Sequence, residues 1–350
     1  MTKKFMTVGI VLLFIGTCII PGIAQKIEKS YEQSSESNWL YVGGTGPGNY
    51  STIQAAIYAS KDGDTIFVFD DKSPYVESIV IDKSIQLLGE NKKTTVINGN
   101  SASIIVQILN CSDVTIQGFT IRNAHKTLIL LDSCIDCLIT DNILRGSGQC
   151  GFSITYGGNN TIANNTIICV SLNTIWRSQG NIVIGNSISF VFQGLCACSG
   201  TKIYSNKIRF IGLNGLEPSG FCDIRGNTIA FCRLHGIEIG GGTNITLQFN
   251  TFIGNTNAIL LFGDQVNVTS NNFILNIHNV LINSVGQYYF DGNFWNRPMS
   301  HPKVIIGLKK VVIREPGTNG IWDPGLTILF PKLLFDLHPA QEPYDILGMT

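Results

Sequence analysis

The chain has 350 residues, with 24 Lys and Arg balanced by 24 Asp and Glu. That balance gives no support to nucleic-acid binding, which wants a strongly basic chain. Only 14% of the residues are charged, and Ile, Gly and Asn are abundant, a composition that suits a repeat protein with a dry core.

At the N-terminus, Lys3 and Lys4 precede an apolar run at 5–20, and Gly22-Ile23-Ala24 supplies small residues for cleavage. This pattern predicts an export signal over 1–24, too short for a usual spanning helix. Without Lys3 and Lys4 the formal charge becomes −2. Residues 25–39 are polar and read as a flexible leader. The Gly-rich stretch at 43–48 lacks the following Lys-Ser/Thr of a phosphate loop. Ser51 then serves as the expected N-cap of a short amphipathic helix over 52–59, placed to cover the open end of a solenoid.

From residue 116 onward one frame recurs: an apolar residue, two variable positions, Asn, one variable position, then another apolar residue. It is carried by Asn142, Asn165, Asn186, Asn206, Asn227, Asn250, Asn271 and Asn293, at steps of 20 to 23 residues. Ile116/Phe119/Ile121 has the same frame with Phe in the Asn slot. A fixed period of this length marks a repeat architecture. The short β-branched runs between Gly and Asn exclude paired-helix repeats, and the scarcity of Leu excludes leucine-rich repeats. A parallel β-helix remains, in which equivalent positions stack about 4.8 Å apart. The Asn side chains then form a structural ladder, each amide donating to one neighbour and accepting from the other. Phe190, Phe210 and Phe231, each four residues after a ladder Asn, stack by the same logic. After Trp295 the pattern ends, and seven of the eleven prolines fall in 298–350, which reads as a C-terminal cap with 304–306 and 326–330 as candidate short strands.

Several of these segments resemble a known superfamily. Thr52-Ile53-Gln54-Ala55-Ala56-Ile57, Gly63-Asp64-Thr65-Ile66, Tyr75-Val76-Glu77, the run at 79–89 and the closing Gly292-Asn293-Phe294-Trp295 look like pectin-lyase-like right-handed β-helix proteins. Within them the chain is most similar to the NosD-like group, named for a copper-site maturation factor and common as archaeal surface proteins. The resemblance implies an all-β, single-stranded right-handed parallel β-helix of about ten coils over 40–297. A helical N-terminal cap and an irregular C-terminal cap close it. It identifies a fold better than an activity, because such repeats carry many functions.

Enzymes of that fold act on polysaccharides along one outer face. Here no Asp or Glu occurs from Asn142 to Leu216, which removes acid/base chemistry from the middle coils. Aligning the turns stacks Cys196, Glu217 and Glu238 on successive coils with their apolar neighbours inward, and Ser153 and Trp176 extend the column. Glu217 and Glu238 are the catalytic candidates, at roughly the 5–5.5 Å separation of retaining glycosidases. Trp176, Arg233 and His235 are the ligand-binding candidates. The competing reading leaves both carboxylates as solvated surface groups.

For metals, Cys134-x-x-Cys137 and Cys196-x-Cys198 have suggestive spacing. Cys137 lies on an inward position, however, so Cys134 and Cys137 are expected to point apart, and His235 and His278 lie two coils apart. Only Met299 and Met349 remain as thioethers after signal removal. No metal and no cofactor are expected. Cys111 and Cys134, at equivalent positions of adjacent coils, form either a disulfide or a stack of buried thiols. The favoured function is an exported, cell-surface or periplasmic, non-catalytic scaffold that binds a polysaccharide or surface glycan. The alternatives are a carbohydrate-active enzyme using the Glu column and a NosD-like accessory protein for copper-site maturation.

Overall fold

The computed structural model describes residues 37–297, 301–313 and 326–344. The expected export signal, most of the leader, Trp322, Met299 and Met349 lie outside those residues.

Three parallel sheets run along the chain, and each successive coil contributes one strand to each. In the first sheet Ile139, at the centre of Leu138–Thr140, pairs in register with Ile116 and Ile162. In the second, Leu144 on Ile143–Ser147 pairs with Ile121 and Ile167. The repeated frame therefore spans the corner between these sheets, with its two apolar residues fully buried on either side. A three-residue strand turns only its middle side chain inward, so polar flanks such as Lys202 and Tyr204 around Ile203 cost the core nothing.

The corner is tight because the residue before each ladder position has a left-handed backbone, as at Asp141 (φ 53°), Ser205 (φ 53°) and Gly226 (φ 65°). This geometry turns the next side chain inward, and the ladder Asn residues are at most 1% exposed. Asn186 Nδ2 donates to Asn206 Oδ1 (3.0 Å), and Asn206 Nδ2 donates to Asn227 Oδ1 (3.0 Å). The series runs unbroken from Asn142 to Asn293. Each Oδ1 also accepts the backbone N–H of the preceding ladder residue, and each Nδ2 donates to a main-chain carbonyl one coil back. Polar atoms that would be expensive to bury are thus satisfied at every step.

Twelve strands of the first sheet follow one another from Trp39–Val42 to Tyr288–Asp291, so the solenoid has about twelve coils, not ten. The extra coils are N-terminal: Trp39–Val42, Thr65–Val68 and Gln86–Gly89 stack in register but bring no Asn to the corner. The helix Ile53–Ala59 buries Ile53, Ala56 and Ile57 at this end. Its N-cap is Thr52 rather than Ser51, because the Thr52 hydroxyl accepts the Ala55 N–H (3.2 Å). The Glu77 carboxylate accepts the N–H groups of Ile53 and Gln54, while Lys83 Nζ donates to the carbonyls of Ile57, Tyr58 and Ser60. The first coils thereby satisfy both ends of the helix that covers them.

The C-terminal cap is not irregular. Lys303–Ile313 and Leu326–Asp336 pair as an antiparallel hairpin, eleven residues a side. Pro331 is tolerated because, away from Asp336, the second strand pairs on one side only and its missing N–H can face the free side. Asp336 is fully buried and ends the ladder. Its carboxylate accepts the N–H groups of Gly292 (3.1 Å) and Asn293 (3.0 Å), Asn293 Nδ2 (3.0 Å) and Trp295 Nε1 (2.8 Å). Inside the last coils Phe252, Phe273 and Trp295 stack at 5.2 and 4.5 Å. Among the described residues no helix is long and apolar enough to cross a membrane.

Candidate functional site

The candidate residues gather on the outer face of the third sheet, on its middle and later strands. Cys196 and Glu217 are register partners, and the pairing of Leu216 with Ile237 sets Glu238 on the next coil. Both carboxylates are half-buried rather than free in solvent. What holds them is Asn214, a residue the column pattern alone does not reveal. Its Nδ2 donates to Glu217 Oε1 and to Glu238 Oε2, both at 2.6 Å, while its Oδ1 accepts the His235 N–H (3.2 Å). That last bond fixes which way the amide faces. Asn214 sits three residues before Glu217, as Gln193 sits before Cys196, and Gln193 Nε2 donates to the Cys196 sulfur (3.2 Å). The Cys196 thiol in turn donates to Glu217 Oε2 (3.4 Å).

His235 occupies the corner position next to Asn214 and is in register with Asn257 and His278. Asn257 bridges the two imidazoles: Nδ2 donates to His235 Nδ1 (3.0 Å), and Oδ1 accepts from His278 Nδ1 (3.0 Å). This direction places the His235 proton on Nε2 and keeps that ring neutral. Burial pushes the His235 pKa below the usual histidine range, opposed by the nearby Glu238 and Glu217 charges. Burial, reinforced by Glu217, pushes the Cys196 thiol up to about 12, so it remains protonated and serves as a donor. Arg233 is exposed in the turn before His235–Ile239, and among the described residues neither carboxylate forms an ion pair with it.

Trp176 does not continue the Glu column. Thr174 takes that place, in register with Cys196 and Ser153. Trp176 lies two residues farther along the strand and is 55% exposed. The Arg177 guanidinium lies 4.5 Å from its ring centre, and Tyr156 packs at 6.4 Å. Beside it opens a hollow of about 610 Å³ lined by Ser178, Gln179, Cys198, Ser199 and Ser219. Ser219 follows Glu217 by two residues on the same strand path, so the hollow and the carboxylate pair share one face.

The thiols differ from expectation too. Cys134 and Cys137 do not point apart: both are buried, and their thiols donate to main-chain carbonyls, Cys134 to Asp132 (3.2 Å) and Ile108 (3.3 Å) and Cys137 to Ile135 (3.5 Å). Neighbouring thiols hold the Cys134 pKa down and push those of Cys111 and Cys137 up. All nine described cysteines are free thiols. Cys198 is turned toward Ser178, away from Cys196. Among the described residues no group of three or more His, Cys, Asp or Glu surrounds a point that could hold a metal ion.

Residues 103–274 match the family model described as "Right handed beta helix region". Among solved structures, the pectate lyase Pel9A matches with a TM-score of 0.56 and 15% identity, over 72% of this chain and 79% of the other. PfbA, a surface adhesin of Streptococcus pneumoniae, matches with 0.55 and 12%, over 83% and 94%. The Azotobacter vinelandii mannuronan C-5 epimerase AlgE6 A-module matches with 0.52 and 14%, over 69% and 86%. No curated protein sequence matches the chain. At these identities the likeness establishes the fold.

Proposed function

We propose that this pectin-lyase-like right-handed β-helix protein is an exported, non-catalytic scaffold that binds an extended glycan across its third sheet, anchored at Trp176. The observation that carries the reading is the exposed indole beside the hollow of hydroxyl and amide groups. A sugar ring needs an aromatic surface for its C–H face and donors and acceptors for its hydroxyls. Trp176 supplies the first; Ser178, Gln179, Ser199 and Ser219 supply the second. The NosD-like copper-accessory role has no comparable observation behind it.

One observation favours a second reading, hydrolysis by the Glu217/Glu238 pair. The two carboxylates share the Asn214 amide, which keeps them close on adjacent coils. Glycosidases of either stereochemistry need one carboxyl protonated and one ionised. Here both carboxylates are engaged as acceptors, of the shared Asn214 NH2 group and, at Glu217, of the Cys196 thiol as well. The binding reading therefore stands first.

The deciding experiment incubates the chain with a panel of neutral and uronic-acid polysaccharides, scoring retention and newly released ends. Retention without release, weakened about tenfold in Trp176→Ala, is the expected result. Release that disappears in Glu238→Gln would replace binding with catalysis. Retention unchanged in Trp176→Ala would remove the anchor.

A further inference from the structure

At the opposite end of the third-sheet strands, the corner that joins the second sheet to the third presents a different surface. Phe190, Phe210 and Phe231 stack there at 5.1 and 5.2 Å with their planes 10° and 11° apart. They are 64%, 48% and 48% exposed. Phe192, Leu213 and Leu234 follow two or three residues later on the same three coils, and their successive backbone bonds place them side by side. The Phe231 ring lies over Gly254, where an added Cβ would come within 2.8 Å of it.

Two facts argue that this patch is there to meet a partner. First, all three Phe residues have a left-handed backbone, with φ of 55°, 59° and 56°. Asn123, Gly146 and Gly254 hold the equivalent position with little strain, whereas Cys169 and the exposed Leu275 share the strained backbone with the three Phe residues. Large aromatics at an exposed, strained corner are poorly explained by folding alone. Second, the charge is one-sided. From residue 98 to residue 278 no segment of this corner contains an Asp or Glu, while Lys126, Arg145, Arg209 and Arg233 are exposed along it.

We propose that this corner docks on an anionic lipid surface. The aromatic and aliphatic side chains enter the boundary between headgroups and acyl chains, and the arginines beside them meet lipid phosphates. A second copy of the chain fits poorly, because an isologous contact would bring Arg209 and Arg233 against their own counterparts. A polysaccharide fits less well than at Trp176, because the stacked rings turn their faces to one another and leave mainly edges for a ligand.

Residues 1–24 carry their own apolar run, so co-sedimentation with vesicles would not locate the contact. Backbone hydrogen exchange does. The full chain is mixed with phosphatidylcholine vesicles, or with vesicles of phosphatidylcholine and phosphatidylglycerol in equal parts. It is compared with the triple variant Phe190→Asn, Phe210→Asn and Phe231→Asn, which puts at each corner a residue suited to its φ. The expected result is roughly tenfold slower exchange over 189–194, 209–214 and 230–235 with anionic vesicles only, absent in the variant. The proposal is overturned if these amides exchange unchanged on bound vesicles, if the variant is protected equally, or if neutral vesicles protect as well. It is overturned equally if protection appears with a soluble acidic polysaccharide and not with vesicles, or with rising protein concentration alone.

Discussion

Replacing Asn206 by Leu tests the ladder where it is most regular. Asn206 Oδ1 accepts the backbone N–H of Asn186 (2.9 Å) and its side-chain amide (3.0 Å). Its own Nδ2 donates to Val183 O (2.8 Å) and Asn227 Oδ1 (3.0 Å). In the variant the Asn186 side chain still has the carbonyls of Ile162 and Ile184, so it is not stranded. The Asn186 backbone N–H loses this acceptor, however, and Val183 and Asn227 each lose a donor, all in a site that is at most 1% exposed. An orphaned buried group costs about 1–3 kcal/mol and a lost ordinary bond less, and the added leucine methyls return part of it, leaving a net loss of about 2–4 kcal/mol. The assay is the urea midpoint, with the slope checked for constancy, since a solenoid can unfold in sections. Exchange at the Asn186 amide supplies the local readout. A loss below about 1 kcal/mol with Asn186 still protected would mean that the side chain is not the acceptor assigned to it.

Asp336→Leu removes the acceptor shared by Gly292, Asn293 and Trp295 and should destabilise by more than Asn206→Leu, with Asp336→Asn intermediate; the same midpoints rank the three. The His235 pKa is depressed in the fold, so its contribution is present above the ordinary histidine range and is lost as pH falls through the lowered value. Stability should therefore decline below about pH 6.5, by a smaller amount in His235→Gln, and equal declines would exclude His235 as the cause. Iodoacetamide near pH 8 should label exposed Cys169 long before Cys196, whose thiol is held up to about 12; mass spectrometry of the digest would show the reverse order if burial were not protecting it.

The frame around each ladder Asn made the solenoid legible, because a buried amide at a tight corner has few substitutes. The coils before Phe119 escaped the count because they stack without that amide. The register of Trp176 was misjudged by two residues because coil length varies, 21 residues from Ser153 to Thr174 and 22 from Thr174 to Cys196, and composition does not show it. Asn214 was missed because its role depends on three-dimensional neighbours: nothing in Asn214-Gly215-Leu216-Glu217 says that the amide also reaches Glu238. The inward turn of both Cys134 and Cys137 was misjudged because alternation in a strand does not carry through a turn, where nearby side chains can both be buried. In the C-terminal cap, 304–306 and 326–330 were legible as strands, but their length and antiparallel pairing were obscured by the prolines, one of which stands inside a strand.

The direction of the ladder has a consequence for the molecule as a whole. Along the ladder every Oδ1 accepts from the N-terminal side, while each Nδ2 donates one N–H toward the C-terminus and one to a carbonyl a coil back. Eight side-chain dipoles are therefore aligned along one axis, with their positive ends toward Asp336, much as peptide dipoles add in a helix. That alignment helps a buried carboxylate to sit at the end of the row, held by N–H donors. The ladder therefore has a polarity that reversing the chain direction would not preserve.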